Sequence, residues 1–366
     1  MTAARPMGEL TNMMAGAFAE QAPAPPGGGR PTPGAAPAPE TLYSDALILS
    51  GGGQWGAYGA GVIKGWSARG RLPARITTGI STGALQATFA YLGPRFDDGL
   101  IEAYSIRDEG ELVDRHNGLF ILANGSMADT APLKAFIQRR IEPLVDEVAA
   151  EHDRSGRALV VGAVDALSGD FKAFDLGAIA SQLTGTERRD CYTAALLASS
   201  AVPVVFRQVT INGRPWLDGG VRHSFLLPET VREIIEARAM AAGANRMINT
   251  DGRIYALRNG TVAPEMIKQL PAELLPTLWR LRTIIFNQVD QDSLDLAAVY
   301  ADRAGLSLYT TTADGWDRAP RIPACRGQDP AVKGMIFDPR FMACLTAFGS
   351  SQWSNGHDPW QKYKAP

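Results

Sequence analysis

A turn from strand to helix is encoded by TTGISTGAL, the stretch from Thr77 to Leu85, which places G-x-S-x-G between a short apolar approach and a run of small residues. A sharp turn tolerates this serine because neither flanking glycine has a Cβ atom that would clash with the strained backbone. Ser81 would then present its hydroxyl at the start of a helix, where backbone amides favour developing negative charge. The pattern predicts a catalytic nucleophile, although glycine and serine at this spacing also fill ordinary turns.

A second glycine-rich turn lies about thirty residues earlier in the chain. The apolar run Ala46–Leu49 leads into SGGGQWG, from Ser50 to Gly56, and a helical pattern follows. Three consecutive glycines allow bare backbone amides to turn toward one point, which suits an oxyanion hole or a phosphate cradle. We therefore expect two neighbouring strands to end in loops that favour an anion.

The third motif is WLDGG, from Trp216 to Gly220, in which an apolar approach leads to an aspartate and a turn follows. In an acyl-transfer site, a carboxylate in such a position can take the proton of a serine hydroxyl. Asp218 is therefore the candidate general base.

These three motifs, in this order, resemble those of the patatin-like phospholipase family. Two further stretches are similar to the family's sequences, Asp129–Leu133 before a predicted helix and Ala198–Pro203 upstream of the aspartate. The resemblance covers about residues 44–350. One departure is Trp55, which stands where the family often has a basic residue, so a charged contact to a phosphate head group is not expected at that position.

The resemblance implies an acyl hydrolase that acts on lipid esters, of phospholipid or lysophospholipid type, through a Ser-Asp dyad. By position Ser81 would be the nucleophile and Asp218 the base. The oxyanion hole would be formed by amides in the set Gly51, Gly52, Gly53 and Thr82. The glycines that support these turns are Gly56, Gly79, Gly83, Gly219 and Gly220. No metal and no cofactor is implied.

From Ser44 onward, short apolar strands alternate with amphipathic runs of helix length, which is typical of an α/β domain with a mostly parallel central sheet in a three-layer sandwich. The predicted strands are Ala46–Leu49, Ile76–Ile80, Ala158–Val164, Phe171–Phe174 and Val205–Ile211. The predicted helices are Ala57–Arg69, Thr82–Tyr91, Pro132–Ile141, Tyr192–Ser199 and Pro228–Ala241. We expect one catalytic domain over residues 44–366, because motifs from residue 51 to residue 220 must converge.

Residues 1–40 hold 8 of the 24 prolines, and the part from Gln21 to Pro39 is nearly all Ala, Pro and Gly. Such a segment has little apolar surface to bury, so we expect residues 1–40 to be disordered. No apolar run approaches the ~18 residues of a spanning helix, and the first residues lack a signal-peptide pattern. We expect a cytoplasmic protein on this basis, with export by a route not visible in the sequence as the alternative.

The charges and cysteines exclude several classes of protein. The 36 basic and 38 acidic residues nearly cancel, so no strong field favours nucleic acid as a partner. Cys191, Cys325 and Cys344 form no C-x-x-C pair and predict buried thiols rather than a metal site, while a bridge between Cys325 and Cys344 stays open for an exported protein. The sequence predicts no particular oligomeric state.

The histidines offer a rival mechanism, because a triad needs an imidazole to take the proton of the serine. His357 follows Ser81 and Asp218 in the chain order of the α/β-hydrolases, and His223 lies five residues after Asp218. His116 and His152 lie in polar surroundings typical of a loop and a solvated surface. A histidine-dependent esterase or thioesterase therefore remains an alternative to the dyad.

A second alternative arises because Gly51, Gly53 and Gly56 satisfy G-x-G-x-x-G, the pattern of dinucleotide-binding folds. That interpretation also needs an acidic residue after the next strand, and the corresponding stretch from Pro73 to Thr78 has none. A non-enzymatic lipid- or nucleotide-binding module nevertheless remains open.

The apolar stretch LLPTLWRLRTIIF, from Leu274 to Phe286, contains two arginines, Arg280 and Arg282. It would make a peripheral membrane contact if its arginines lay at the head groups and its Trp and Leu side chains were inserted. The other interpretation is a helix packed on the sheet.

Overall fold

The computed structural model describes residues 4–6, 46–71, 73–116, 126–228, 230–232, 234, 252–264, 267, 272, 274–318, 322–328 and 336–365. The described strands are β1 (Ala4–Pro6), β2 (Ala46–Leu49), β3 (Ile76–Gly79), β4 (Asp114–Arg115), β5 (Ser126–Asp129), β6 (Ala158–Asp165), β7 (Phe171–Asp175), β8 (Val204–Phe206), β9 (Val209–Ile211), β10 (Arg214–Asp218), β11 (Arg253–Leu257), β12 (Ser307–Thr311) and β13 (Gln361–Lys362). The α-helices described in full are α1 (Gly56–Ser67), α2 (Thr82–Leu92), α3 (Asp97–Ala103), α4 (Ala131–Arg140), α5 (Val145–Ser155), α6 (Leu176–Gln182), α7 (Gly185–Ser199), α8 (Leu274–Arg303) and α9 (Pro339–Ser351).

The central sheet has the strand order β1-β7-β6-β3-β2-β11-β12-β13, and β10 pairs with both β6 and β9. The middle of this sheet, from β6 to β12, is parallel. The outer pairs, β1 with β7, β7 with β6 and β12 with β13, are antiparallel. The carboxyl ends of β2, β3 and β11 therefore meet at one edge, where ligand sites of open α/β sheets form. A smaller sheet in the described part of the chain has the order β4-β5-β8.

Two apolar layers cover the faces of the central sheet. Along β2, Leu47 and Leu49 belong to one buried cluster, whereas Ala46 and Ile48 belong to the other. Every residue of β2, β3 and β6 is buried, as expected for central strands with helices on both sides. The predicted α/β class, a three-layer sandwich with a mostly parallel central sheet, is therefore confirmed.

The structure also corrects the predicted elements. The single strand predicted over Val205–Ile211 is wrong: it is divided into β8, which joins the small sheet, and β9, which pairs with β10. The exposed pair Arg207 and Gln208 interrupts the apolar run between them. The strands β11 and β12 were not predicted from the sequence. The described residues of the predicted helix Pro228–Ala241 reach only to residue 234, and they are helical. The remainder of this prediction lies outside the described residues.

The long helix α8 has two halves with different surroundings. In its second half, Leu294, Ala297 and Ala301 are buried against the sheet. In its first half, which contains the apolar stretch singled out in the sequence, Leu281 and Ile285 are 49% and 57% exposed. The helix is thus packed on the sheet through its second half, whereas the stretch itself has exposed apolar side chains.

The described parts of the chain also bear on its ends and its cysteines. Of residues 1–40, which the sequence predicts to be disordered, Ala4–Pro6 pairs with β7, and the others lie outside the described residues. The prediction of buried thiols is wrong for Cys325 and Cys344, which form a disulfide that ties the segment before α9 to that helix. It is confirmed for Cys191, which is free and buried. No helix within the described ranges combines the length and apolarity needed to cross a bilayer.

Candidate active site

Ser81 and Asp218 are brought together by β6, which pairs with two different strands along one edge. The first half of β6 pairs with β3, and this pairing ends with Gly79 opposite Val161. The second half pairs with β10, with Asp218 opposite Ala163. The two strands β3 and β10 run toward each other along β6, so the residues that follow β3 meet the end of β10.

The backbone at Ser81 has the strained form of a nucleophile turn. Its φ of 56° and ψ of −123° match the first central position of a type II′ turn, which glycine usually occupies. The chain can turn this tightly because Gly79 and Gly83 lie so close to neighbouring backbone that a Cβ atom on either would overlap a carbonyl oxygen. Helix α2 starts at the next residue, Thr82, so the serine lies at a helix N-terminus as the sequence predicts.

The stretch from Ser199 to Ala201 holds both catalytic candidates in place. The amide of Ser81 donates to the hydroxyl of Ser199 at 3.1 Å, and the hydroxyl of Ser200 donates to the carbonyl oxygen of Ser81 at 3.4 Å. The amide of Asp218 donates to the carbonyl oxygen of Ala201 at 3.0 Å. This supporting role explains why a Ser-Ser pair precedes the aspartate in the sequence.

The carboxylate of Asp218 is buried, and one of its oxygens is held by the protein. The amide of Gly220 donates to Oδ1 at 2.7 Å. The other oxygen, Oδ2, is buried without a hydrogen bond of standard geometry to any described residue. Burial raises the pKa of Asp218 to about 6, against the opposing effects of the Ser81 side chain, the Gly220 amide and the positive charge of Arg282. Oδ2 is thus the carboxylate oxygen left to receive a proton.

The glycine loop after β2 turns its amides in different directions. The amide of Gly51 donates to the carbonyl oxygen of Ser224 at 3.0 Å, so this predicted oxyanion donor is occupied by a structural bond. Gly52 and Gly53 have φ values of 150° and 58°, which few other residues adopt. Among the described residues, no acceptor is bonded to the amides of Gly52, Gly53 and Thr82. These three amides remain the candidates for an oxyanion hole.

A buried polar network fixes this loop, and its members were not identified from the sequence. Asn259 follows β11, and its amide donates to the hydroxyl of Ser50 at 2.8 Å. The side chain of Asn259 donates to the carbonyl oxygen of Ser50 and to that of the Gln86 side chain. Gln86 in turn donates to the carbonyl oxygen of Gly56, the first residue of α1. The network ties β11, α2 and α1 to both ends of the glycine loop.

Trp55, the departure from the resemblance that was noted in the sequence, belongs to an aromatic cluster. Its ring contacts those of Phe341 and Trp316 edge to face, at 5.1 and 6.1 Å between ring centroids. The preceding residue, Gln54, accepts a hydrogen bond from the amide of Asp338 at 2.9 Å. This side of the loop is therefore packed on α9 and the segment before it.

His357, the histidine of the rival triad, is exposed and its ring lies 2.8 Å from the carbonyl oxygen of Gln352. The nearby Trp353 stacks on Trp66 at the end of α1. The glycine loop precedes Gly56, at the other end of α1. The length of the helix therefore separates Trp66 from this loop by about 15 Å. The His357 loop and the glycine loop thus lie at opposite ends of α1.

The other histidines have different neighbours. His223 lies in the turn after β10, where its amide donates to the carbonyl oxygen of Gly219, and its ring packs edge to face on Phe171 at 5.0 Å. The ring nitrogens of His116 and His152 contact backbone carbonyl oxygens. Within the described ranges, no three His, Cys, Asp or Glu side chains gather where they could hold a metal ion.

Comparisons with known proteins agree with this geometry. A search of curated proteins finds none that matches the chain. The family model described as patatin-like phospholipase matches residues 47–231, a range that starts in β2 and contains the glycine loop, the turn at Ser81 and the end of β10 at Asp218. Because this match covers half of the 366 residues and includes all three motifs, the chain belongs to the patatin-like phospholipase family.

Proposed function

We propose that this lipid acyl hydrolase cleaves carboxyl esters of phospholipids or lysophospholipids with a Ser81-Asp218 dyad. Membership of the family supports lipid substrates. The observation that carries the dyad is the pairing of β3 and β10 along one edge of β6, which directs Ser81 and Asp218 to the same point. The electrostatic effect of the Ser81 side chain on Asp218 supports their contact.

In the first half of the reaction, Oγ of Ser81 attacks the ester carbonyl carbon while its proton passes to Oδ2 of Asp218. The amides of Gly52, Gly53 and Thr82 stabilise the resulting oxyanion, and removal of one such donor typically costs about 10²–10³ in turnover. The tetrahedral intermediate then collapses, and Asp218 returns the proton to the departing alcohol oxygen. The products are an alcohol and an acyl ester of Ser81.

In the second half, water attacks the acyl-enzyme and loses its proton to Asp218. Collapse of this second intermediate releases the carboxylic acid, and the proton moves to Oγ of Ser81, which restores the starting enzyme. A carboxylate is a weak base for a serine hydroxyl, and a pKa raised to about 6 by burial brings Asp218 closer to the working pH than an ordinary aspartate.

The first half of α8 would bring the enzyme to its substrate as a peripheral membrane contact. Four of its large apolar side chains are exposed: Leu278, Leu281, Ile284 and Ile285. An exposed apolar cluster on a helix that also carries arginines is typical of segments that lie in the head-group region of a bilayer. The electrostatic interaction between Arg282 and Asp218 supports a position near the active site for this cluster.

Labelling with a fluorophosphonate probe tests the proposed function. The probe forms a covalent bond with an activated serine, so peptide mapping of the treated protein should find the adduct on Ser81 alone. The Ser81→Ala variant should not react, and it should lose at least about 10⁴-fold in hydrolysis of a short-chain aryl ester. An unlabelled Ser81, together with aryl esterase activity that survives Ser81→Ala, would exclude the proposal.

A further inference from the structure

The middle of α8 is bound to the two loops that border the candidate active site. Arg258, which follows β11, lies 3.4 Å from Asp290 and donates to the carbonyl oxygen of Asn287 at 3.3 Å. Asp290 also interacts with the side chain of Ser224. The carbonyl oxygen of Ser224 accepts the hydrogen bond from Gly51 in the glycine loop. These contacts fix this part of the helix beside the site.

Arg282 lies on the same face of α8 as these contacts. Residues 282, 286 and 290 are separated by intervals of four, which place them in one row along a helix. The guanidinium of Arg282 lies 4.5 Å from the centre of the Phe286 ring, and its charge acts on Asp218. Arg282 is only partly exposed, whereas Leu281 and Ile285 on the adjoining face are exposed. The same positive charge therefore acts on the catalytic carboxylate and lies on α8 beside exposed apolar side chains.

We propose that Arg282 binds the phosphate of a phospholipid substrate whose ester carbonyl lies at Ser81. This inference rests on the proposed function and assigns it a substrate class, an ester with a phosphate a few bonds away from the scissile group. It also places the cationic contact on α8, since Trp55 of the glycine loop is packed among aromatic rings.

The chemistry of the two groups suits this contact. A guanidinium presents parallel N–H donors that match two phosphate oxygens, and such charge-assisted pairs are stronger than neutral hydrogen bonds. The Phe286 ring and the surrounding helix exclude water from one side of Arg282, which strengthens its attraction for an anion. The exposed leucines and isoleucines on α8 would contact acyl chains of the lipid surface from which the substrate comes.

A second role for Arg282 must be separated from this one by experiment. Its positive charge favours the ionised form of Asp218, and this effect would help the hydrolysis of every ester equally. A phosphate contact, in contrast, helps only those substrates that carry a phosphate. The ratio of kcat/KM values for two esters that differ only in the phosphate-bearing head group is therefore the informative quantity.

The test uses two monomeric substrates at pH 8, dihexanoyl phosphatidylcholine and dihexanoylglycerol, which share their ester groups. We expect Arg282→Gln to lower the ratio of kcat/KM for the phospholipid to that for the diacylglycerol by about 10- to 100-fold. Arg282→Lys keeps the charge and should lower it less. The matched control is Arg280→Gln, which removes the same charge from the same helix and should leave the ratio within about threefold of wild type, because residues two apart do not share a helix face.

Two results would overturn the inference: an unchanged ratio in Arg282→Gln, as when both substrates lose activity equally, or an equal effect of Arg280→Gln on the ratio. Binding provides a readout that does not need turnover. In the Ser81→Ala background, calorimetry with a short-chain diether phosphatidylcholine should show at least about tenfold weaker binding after Arg282→Gln. If neither ester is hydrolysed but this binding depends on Arg282, the phosphate site stands and the proposed hydrolysis falls. If both esters are hydrolysed with a ratio that does not depend on Arg282, the proposed hydrolysis stands and the phosphate site falls.

Discussion

The carbonyl oxygen of Asn259 occupies the space beside Gly52 that a Cβ atom on this glycine would need. Asn259 is itself held by Ser50 and Gln86, so the oxygen cannot move without breaking buried hydrogen bonds. The end of β11 therefore forms a wall of the proposed oxyanion hole. This relationship explains why the second residue of the glycine triplet has to be a glycine.

Gly52→Ala should damage both the fold and the activity. The new methyl group overlaps Asn259, and alanine at a φ of 150° costs about 1–3 kcal/mol in addition. We expect a fall in melting temperature and a loss of turnover of about 10²-fold or more, as for a lost oxyanion donor. Gly53→Ala is the matched control, because alanine at its φ of 58° is also strained but no atom lies within 4 Å of its Cβ position. Equal effects of the two variants would contradict the clash as the cause.

The strained backbone at Ser81 predicts that a glycine at this position is more stable than an alanine. At a φ of 56° and ψ of −123°, any residue with a Cβ is strained by about 1–3 kcal/mol, and glycine is not. Ser81→Gly should therefore melt a few degrees higher than Ser81→Ala, although both lack the nucleophile. Calorimetry of the two variants side by side measures the difference. A lower melting temperature for Ser81→Gly would show that this backbone strain does not exist.

The buried carboxylate of Asp218 predicts a pH-dependent cost to stability. Its pKa is about 6 in the folded protein and 3.8 in the unfolded chain, so between these values the folded state binds the extra proton. Stability therefore falls as the pH rises from about 4 to about 6, and the loss persists at higher pH. Asp218→Asn has no such proton to lose, so at pH 8 it should be more stable than wild type by about 3 kcal/mol.

Urea unfolding of wild type and Asp218→Asn at several pH values measures this difference. The gain should be largest above pH 6 and should disappear below about pH 4, where both side chains are neutral. Asp290, whose pKa burial also raises to about 6, is present in both proteins and so does not affect the comparison. A gain that is independent of pH would exclude burial of the Asp218 charge as its source.

The exposed apolar side chains of α8 predict a difference between aggregated and monomeric substrates. Ile285→Glu places a charge where a bilayer would cover the helix, so hydrolysis of phospholipid vesicles should fall about tenfold or more. Hydrolysis of a soluble aryl ester should change little. Leu296→Glu is the matched control, since Leu296 is 45% exposed and lies about 16 Å farther along the same helix. Similar losses in both variants would argue against a docking face confined to the first half.

Those parts of the site that depend on local backbone geometry could be predicted from the sequence. Gly79 and Gly83 flank Ser81 because a Cβ atom at either position would overlap a neighbouring carbonyl oxygen. This requirement for glycine is visible in the sequence as the G-x-S-x-G pattern. The strands β2 and β6 were also predicted, because β2 and the part of β6 before Asp165 have no polar side chain, whereas β10, which carries Asp218, was not predicted as a strand.

Other residues of the site could not be predicted, because only the tertiary fold brings them near Ser81. Asn259 follows β11, a short strand of mixed polarity, RIYAL, that gives no clear pattern. Gly51 belongs to a motif, but whether its amide is free depends on Ser224, which lies in a distant turn. Arg282 lies in an apolar helix whose sequence gives no indication of the active site. Long-range contacts of single side chains leave no local periodicity to read.

Three variants identify the general base. Asp218→Asn keeps the shape of the carboxylate but removes the proton acceptor, so turnover should fall nearly as far as in Ser81→Ala. His357→Ala and His223→Ala should each stay within about tenfold of wild type, because a residue outside the proton path affects the rate only through packing. Turnover of wild type should also decline below about pH 6 as Asp218 becomes protonated.

A histidine triad gives a different set of results. Loss of His357 would then be as damaging as loss of Ser81, because no other group could carry the proton. The position of His357 at the far end of α1 from the glycine loop argues against this outcome, since general bases act within hydrogen-bond reach of the proton they accept. The decisive measurement is the turnover of one soluble ester by the three variants, with circular dichroism to confirm that each is folded. A collapse of activity in His357→Ala beside a mild effect of Asp218→Asn would refute the dyad.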